Sequence, residues 1–210
     1  MLPQQLKDAL FAVNRVAALP NEWLKRARFE LTKADALYVN LGCGPHYVEG
    51  MINCDGNLFN KIDLWLDLRN PLPFPSSSVA IAYCSHTLEH LFPEHALALL
   101  REIHRVLRPD GIARVVVPDV KYAFRIAQGD ATSPWPRNFH DPVGQAMNYL
   151  FCDGQHKYAY NDAMLRDFAT QAGFGRVTNV SDEHGVNPRP YGPLMLGNEA
   201  EGSLVVELAR

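Results

Sequence analysis

The sequence predicts an α/β fold: a doubly wound, mostly parallel seven-stranded sheet with one antiparallel C-terminal strand. Three observations carry this. From residue 37 onward, short apolar runs alternate with stretches of helical periodicity, as strands joined by crossovers do. The run Val79–Ser85 is apolar on both faces, as a central parallel strand requires. The last two strand-like runs, Arg176–Ser181 and Ser203–Ala209, have no helix between them, so within one sheet they can only be antiparallel neighbours.

Taken in order, Leu2, Leu6, Leu10, Val13 and Ala17 recur at helical spacing and predict an amphipathic helix that stops at Pro20. Asn21 can cap a second helix to about Leu31. Leu37–Leu41, Met51–Cys54, Ile62–Leu68 and Val79–Ser85 are the first four strands, the third interrupted by Asp63 and Asp67. Pro93 opens a helix with the face Ala96, Leu100, Ile103 and Leu107, widened by Leu99 and Val106. Arg105 and Arg108 suit its negative end, and Asp110-Gly111 should terminate it. Ile112–Val117 is the fifth strand, closed by Pro118.

From Asp119 to about Tyr160 the alternation breaks. This segment, rich in Trp, Tyr, His and Asn, holds a short helix capped by Asp141, opened by Pro142 and striped by Val143, Ala146, Met147 and Leu150. A helix from about Asp162 to Ala172 ends at Gly173, and the two final strands follow. Between these strands the Pro/Gly-rich loop 181–202 is too long for a mere connection. The expected organisation is one domain, 1–210, with an N-terminal helical cap (1–33), a ligand-binding core (35–118), an insert (119–160) and a C-terminal helix and strand pair (161–210).

Composition narrows the class. An apolar fraction of 47% and a charged fraction of 20% are those of a soluble globular protein. With a net charge of −3, no nucleic-acid partner is expected, and Arg101, Arg105, Arg108 and Arg114 read as a solvated helix face and a strand end. Cys43, Cys54, Cys84 and Cys152 form no C-x-x-C pair, which suits reduced packing thiols in a cytoplasmic protein. No apolar run reaches membrane-spanning length, and Lys7, Asp8, Asn14 and Arg15 interrupt any signal-peptide core. Stable membrane insertion is therefore not expected, and a homo-oligomer is compatible with the surface.

Gly42-Cys43-Gly44 follows the first strand directly, and Asp55 ends the second. Glycines at a strand exit let backbone approach a ligand closely, and an acidic residue there can grip two ribose hydroxyls. A tight turn in any α/β protein remains the alternative. A dinucleotide is disfavoured, because the third glycine position of that fingerprint is Tyr47 and Asp55 comes too soon. The span from Pro45 to Gly50 is also too short for the helix that would hold a pyrophosphate.

Five segments fall in a telling order: Asn40-Leu41-Gly42-Cys43-Gly44, Asn53-Cys54-Asp55, Asp67-Leu68-Arg69-Asn70-Pro71-Leu72-Pro73-Phe74, Ser85-His86-Thr87-Leu88-Glu89-His90 and Arg105-Val106-Leu107-Arg108-Pro109-Asp110-Gly111. Together they resemble the class I S-adenosylmethionine-dependent methyltransferases, and most closely the small bacterial methyltransferase type 11-like proteins. The resemblance implies a Rossmann-like methyltransferase fold with S-adenosylmethionine as cofactor. It implies that Gly42 and Gly44 pass under the methionine moiety with the Cys43 backbone nearby, and that Asn40 is among the cofactor-binding residues. Asp55 would hold the ribose hydroxyls, Asp67 and the Leu68 N–H would face adenine, and Ser85 would end the fourth strand beside the sulfonium. The acceptor would be a small molecule or saccharide, held partly by the insert as a lid.

His86, at the edge of the fourth strand, is a candidate general base, and His156 in Gln155-His156-Lys157-Tyr158-Ala159-Tyr160 is the second. With Trp135, Arg137, His140 and Tyr149, this region concentrates polar aromatics, which either line a small-molecule site or pack a lid on its sheet. His86-Thr87-Leu88-Glu89-His90 also spells an H-x-x-E-H zinc spacing. Because Phe92-Pro93 cuts any helix there short, no metal is expected, and Glu89 and His90 read as structural. Two other classes stay open: a non-catalytic S-adenosylmethionine-binding scaffold and, less favoured, a nicotinamide-dependent oxidoreductase.

Overall fold

The computed structural model describes residues 36–134, 139–181 and 201–210, the backbone of 189–191 and 194–196, and residues 9, 12–13, 15–20 and 23–24. Most of the two N-terminal helices, the Asn21 cap, Trp135 and Arg137 lie outside the described residues. Within the first helix, 12–13 and 15–17 are helical, Ala18 is buried, and the Arg15 carbonyl accepts from Asn70 Nδ2 at 2.9 Å.

The apolar runs become β1 (Leu37–Leu41), β2 (Ile52–Asp55), β3 (Leu64–Trp65), β4 (Val79–Ser85), β5 (Leu107–Pro118), β6 (Arg176–Asn179) and β9 (Ser203–Ala209). They form one sheet in the order β3-β2-β1-β4-β5-β9-β6. Pairing is parallel from β3 to β5, whereas β9 runs antiparallel between β5 and β6. The reversed C-terminal strand is thus where the missing crossover required it. Chain order turns back between β1 and β4, so their C-terminal ends flank the switch-point crevice where ligands of open α/β sheets sit.

The helices are α1 (Pro93–Val106), α2 (Val120–Gln128), α3 (Pro142–Phe151) and α4 (Asp162–Ala172). Leu99, Leu100 and Ile103 of α1 and Leu165 and Ala169 of α4 cover one face of the sheet, against Val39, Ala82, Val115 and Val206. Proline at N1 of α1 and a left-handed Gly173 after α4 set those helix ends as expected, and the Asn161 side chain, accepting from Met164 N, caps the start of α4.

Several expectations are corrected. The helix before β5 stops at Val106, not at Asp110-Gly111, because Leu107 is already extended and pairs with Val79. The intervening residues enter β5 at a register irregularity. Gly111 is needed there for close approach, since a Cβ would stand 2.9 Å from the Val79 carbonyl oxygen. The third strand shrinks to two residues because the Asp63 carboxylate turns to the Asn53 amide N–H and the Asp67 carboxylate to the Arg69 N–H. The insert begins with α2, capped by Asp119 and ended by left-handed Gly129. In α3 the Tyr149 hydroxyl donates to the Gly202 carbonyl at 2.7 Å, so Ala146 and Tyr149 face inward while Val143 and Met147 are exposed. In the long loop, Arg189–Tyr191 (β7) and Leu194–Leu196 (β8) pair antiparallel as a separate two-stranded sheet.

Arg114 is not at a solvated strand end. It lies mid-strand in β5, 4% exposed, directly opposite Glu207 of β9, with Nη1 donating to Oε1 at 3.1 Å. Taking away one partner of a buried pair leaves a desolvated charge behind. Glu207→Ala should lower stability by about 3 kcal/mol, read as a lower urea midpoint at unchanged slope. The double substitution Arg114→Met with Glu207→Leu should recover most of that loss.

Candidate functional site

The exit of β1 is built by backbone. Gly42 and Cys43 N–H both donate to the Cys54 carbonyl, at 2.8 and 3.0 Å, binding the glycine turn to the end of β2. Gly42 has φ +72°, and a Cβ on it would lie 2.4 Å from Thr87 Oγ1. Gly44 is also left-handed, at φ +52°, yet a Cβ there would meet nothing within 4 Å. One glycine is therefore required by packing, and the other leaves bare backbone beside open space.

The Gly44 N–H donates to Asp55 Oδ2 at 2.8 Å, and the Asn57 N–H to Oδ1 at 2.7 Å. Each oxygen is fixed by one donor, and an ionised carboxylate accepts about four bonds. Asp55 is half-buried, so acceptor capacity remains on its outer side.

The short crossover from Pro45 to Gly50 is held by side chains. Asn40, 2% exposed, donates to Asn53 Oδ1 and to the His46 carbonyl, both at 3.0 Å. Asn53 accepts from Val48 N at 2.8 Å and donates to the carbonyls of Val48 and Met51, each at 2.9 Å. The Tyr47 hydroxyl donates to Asp63 Oδ1 at 2.9 Å. The Asn40 amide thus shapes the turn from inside, a role the sequence reading did not separate from ligand contact.

Asp67 is buried and accepts from Arg69 Nε at 2.8 Å, with the half-buried Leu68 beside it. Cys43 packs in the turn, and burial, with Asp55 nearby, pushes its thiol up to about 11, so it stays protonated at neutral pH. Ser85 ends β4 half-buried, and its carbonyl lies 3.1 Å from the Thr87 hydroxyl, which also lies 3.2 Å from the Leu41 carbonyl. Thr87, which the sequence did not single out, bridges the exits of β1 and β4.

Beyond Ser85 the chain turns sharply at His86, a non-glycine residue at φ +49°. Its N–H still donates to the Val116 carbonyl at 2.8 Å. His86 Nδ1 is 3.3 Å from Glu89 Oε1, and Nε2 is 3.3 Å from Ser203 Oγ. Leu88–His90 is a single 3-10 turn, and its Glu89 carbonyl accepts from Lys157 N at 2.7 Å and Tyr158 N at 3.2 Å. These bonds bring His156 to the turn, with the His90 and His156 rings edge to face at 4.8 Å. His156 is 7% exposed, and burial holds its imidazole below the ordinary value.

The two candidate bases therefore converge on Glu89, which was expected to be structural. Tyr149, Tyr158 and Tyr160 pack inward, on α2 or on Phe168 of α4, which is the lid-packing alternative for those aromatics; His140 is exposed. Among the described residues no helix is long and apolar enough to cross a membrane.

Residues 39–115 match the family model of the methyltransferase domain. No curated protein matches the chain. Among solved structures, a SAM-dependent methyltransferase from Archaeoglobus fulgidus has a TM-score of 0.54 at 14% identity, over 90% of this chain and 94% of that one. A chain from the Haloferax volcanii complex of the Trm112 methyltransferase activator gives 0.51 at 15%, over 96% and 94%. A Thermotoga maritima protein described as a possible histamine N-methyltransferase gives 0.50 at 17%, over 98% and 94%. These likenesses establish the fold.

The two glycines should separate in mutagenesis. Gly42→Ala combines a left-handed φ with a clash and should cost about 3 kcal/mol, whereas Gly44→Ala carries the φ term alone, about 1 kcal/mol. Urea denaturation of both variants checks the difference.

Proposed function

We propose that this chain, which carries a methyltransferase domain of the S-adenosylmethionine-dependent type, methylates a hydroxyl of a small-molecule or saccharide-type acceptor at the C-terminal end of β4. The observation that carries the proposal is the bare Gly44 turn facing Asp55, whose carboxylate is aimed by two backbone donors. A vicinal diol fits the outer lone pairs of that carboxylate, and the amino-acid tail of the cofactor fits along backbone without a side chain. By the resemblance, the Leu68 backbone N–H would be offered to the adenine ring, with the Asp67 carboxylate held beside it by Arg69.

S-adenosylmethionine, when bound, supplies an activated methyl group on a sulfonium that is already a good leaving group. The protein's part is positioning, for which about 7–11 kcal/mol is available when a nucleophile is held in line. A hydroxyl must also lose its proton. His86, 29% exposed in its side chain and backed by Glu89 Oε1, is the base we assign, worth about 10²–10⁴-fold. His156, the other candidate, is buried and has Nδ1 on the Leu150 carbonyl at 2.8 Å, so it meets the acceptor less directly. Buried Cys43, Cys54 and Cys84, whose thiols burial keeps protonated, suit a cytoplasmic enzyme.

Asp55→Ala removes charge-assisted bonds and should weaken S-adenosylhomocysteine binding about 100-fold in calorimetry. Unchanged affinity would remove the ribose assignment. In a screen with labelled cofactor against pooled metabolites and envelope extracts, wild type should label a small acceptor. His86→Ala should lower its turnover at least about 100-fold while keeping cofactor affinity within twofold.

A further inference from the structure

We infer that Glu89, His90 and His156 form a site for a divalent transition-metal ion, zinc-like in its ligand preference, at the acceptor end of β4. One ligand atom from each residue lies within 4.8 Å of the other two. Around a tetrahedral ion with bonds of about 2.1 Å, ligand atoms stand about 3.4 Å apart. The cluster therefore needs to close by up to about 1.4 Å, which the exposed His90 can supply by a shift of its side chain.

The second observation is Glu89 itself. It is 1% exposed, no hydrogen bond reaches either carboxylate oxygen among the described residues, and the His86 Nδ1 at 3.3 Å from Oε1 leaves Oε2 for a cation. A buried carboxylate so sparsely bonded is costly, and a cation against it offsets that cost. The histidines add orientation. His90 Nδ1 is 3.3 Å from the Gln155 carbonyl and His156 Nδ1 is 2.8 Å from the Leu150 carbonyl. A ring whose Nδ1–H is turned to a backbone carbonyl presents Nε2 to a metal, the arrangement by which such ligands are held and made more basic.

The ligands come from two segments that backbone bonds already join, since Lys157 and Tyr158 N–H both donate to the Glu89 carbonyl. Two imidazoles with one carboxylate favour zinc, iron or manganese over magnesium or calcium, which prefer all-oxygen shells. Three protein ligands leave at least one coordination position open, as catalytic sites do. Resting on the methyl-transfer reading, this position takes an oxygen of the acceptor. The acceptor class narrows accordingly to molecules with adjacent oxygens, such as diols and sugars, able to offer the ion one oxygen and the methyl group another. The ion holds one oxygen and orients the diol, and the proton of the adjacent hydroxyl leaves to His86 as that oxygen's bond to methyl forms and the sulfonium–methyl bond breaks.

The test is calorimetric titration of zinc chloride into the full chain after chelator treatment and dialysis, with S-adenosylhomocysteine titrated into the same preparation. The expected result is one zinc per chain at micromolar affinity or tighter, weakened at least about 100-fold in His90→Ala and in Glu89→Gln and unchanged in His140→Ala. His90→Cys, which restores a ligand, should restore binding. His90 is exposed, so His90→Ala keeps the test valid should Glu89→Gln fail to fold. No zinc binding by a wild-type chain that binds S-adenosylhomocysteine, or wild-type zinc affinity in His90→Ala, overturns the cation site and leaves the methyl-transfer reading standing. Zinc bound as expected without S-adenosylhomocysteine overturns the reading of the cofactor crevice instead.

Discussion

Everything at the ligand end of the sheet depends on how β1 is stopped. Two successive N–H groups donate to the Cys54 carbonyl, and that of the next residue, Gly44, donates to the carboxylate of Asp55. A neutral bond of this kind contributes about 1 kcal/mol net, and one to a charged group about 1.5–3 kcal/mol. Their geometric effect matters more than their sum. They turn the chain into left-handed glycines, place Thr87 against the first, and leave the second without a neighbour. The crevice is thus a consequence of backbone satisfaction at a strand end, and the acidic side chain that shapes it is the one available to the ligand.

The next constraint is economy. In most doubly wound sheets a helix connects the first two strands, satisfies its own backbone and covers the sheet. Here the few residues between β1 and β2 cannot form one, so buried side-chain amides replace it. Asn53 binds Val48 through both its donor and acceptor atoms, Asn40 holds His46, and Asp63 anchors Tyr47 and Asn53. Without a helix N-terminus at this position there is no dipole or row of free N–H groups to hold a pyrophosphate. A ligand with phosphates beside the glycines would find no such donors there.

Strands with a plain pattern were legible in the sequence. β1 and β4 have the limits that their apolar runs suggested, and the terminator of α4 was read from Gly173. The start of β5 was not. A helix that runs straight into a strand carries no turn signal, and Gly111, which looked like a terminator, answers instead to the Val79 carbonyl across the sheet. Arg114 was misplaced for a related reason. Its partner Glu207 is fixed only by the register of β5 against β9, and no local pattern records that register. The candidate site divides the same way. Glycines and Asp55 were visible as a linear motif, whereas the neighbourhood of Glu89 depends on bonds from Lys157 and Tyr158 that join distant segments.

The H-x-x-E-H spacing shows how far local geometry can mislead. On a helix its two histidines would share one face, with the glutamate beside them. In the single 3-10 turn that Phe92-Pro93 allows, His86 instead sits before the turn in a left-handed conformation, Glu89 points inward, and His90 stays outside. Strain of about 1–3 kcal/mol at a non-glycine residue persists only where surrounding contacts overdetermine it. Here those contacts are the Val116 carbonyl at the His86 N–H, and Glu89 and Ser203 at the two ring nitrogens. A strained histidine and a buried carboxylate therefore share one short segment at the mouth of the central strand. A merely structural turn gains nothing from either feature, which is why the proposed acceptor chemistry is placed there.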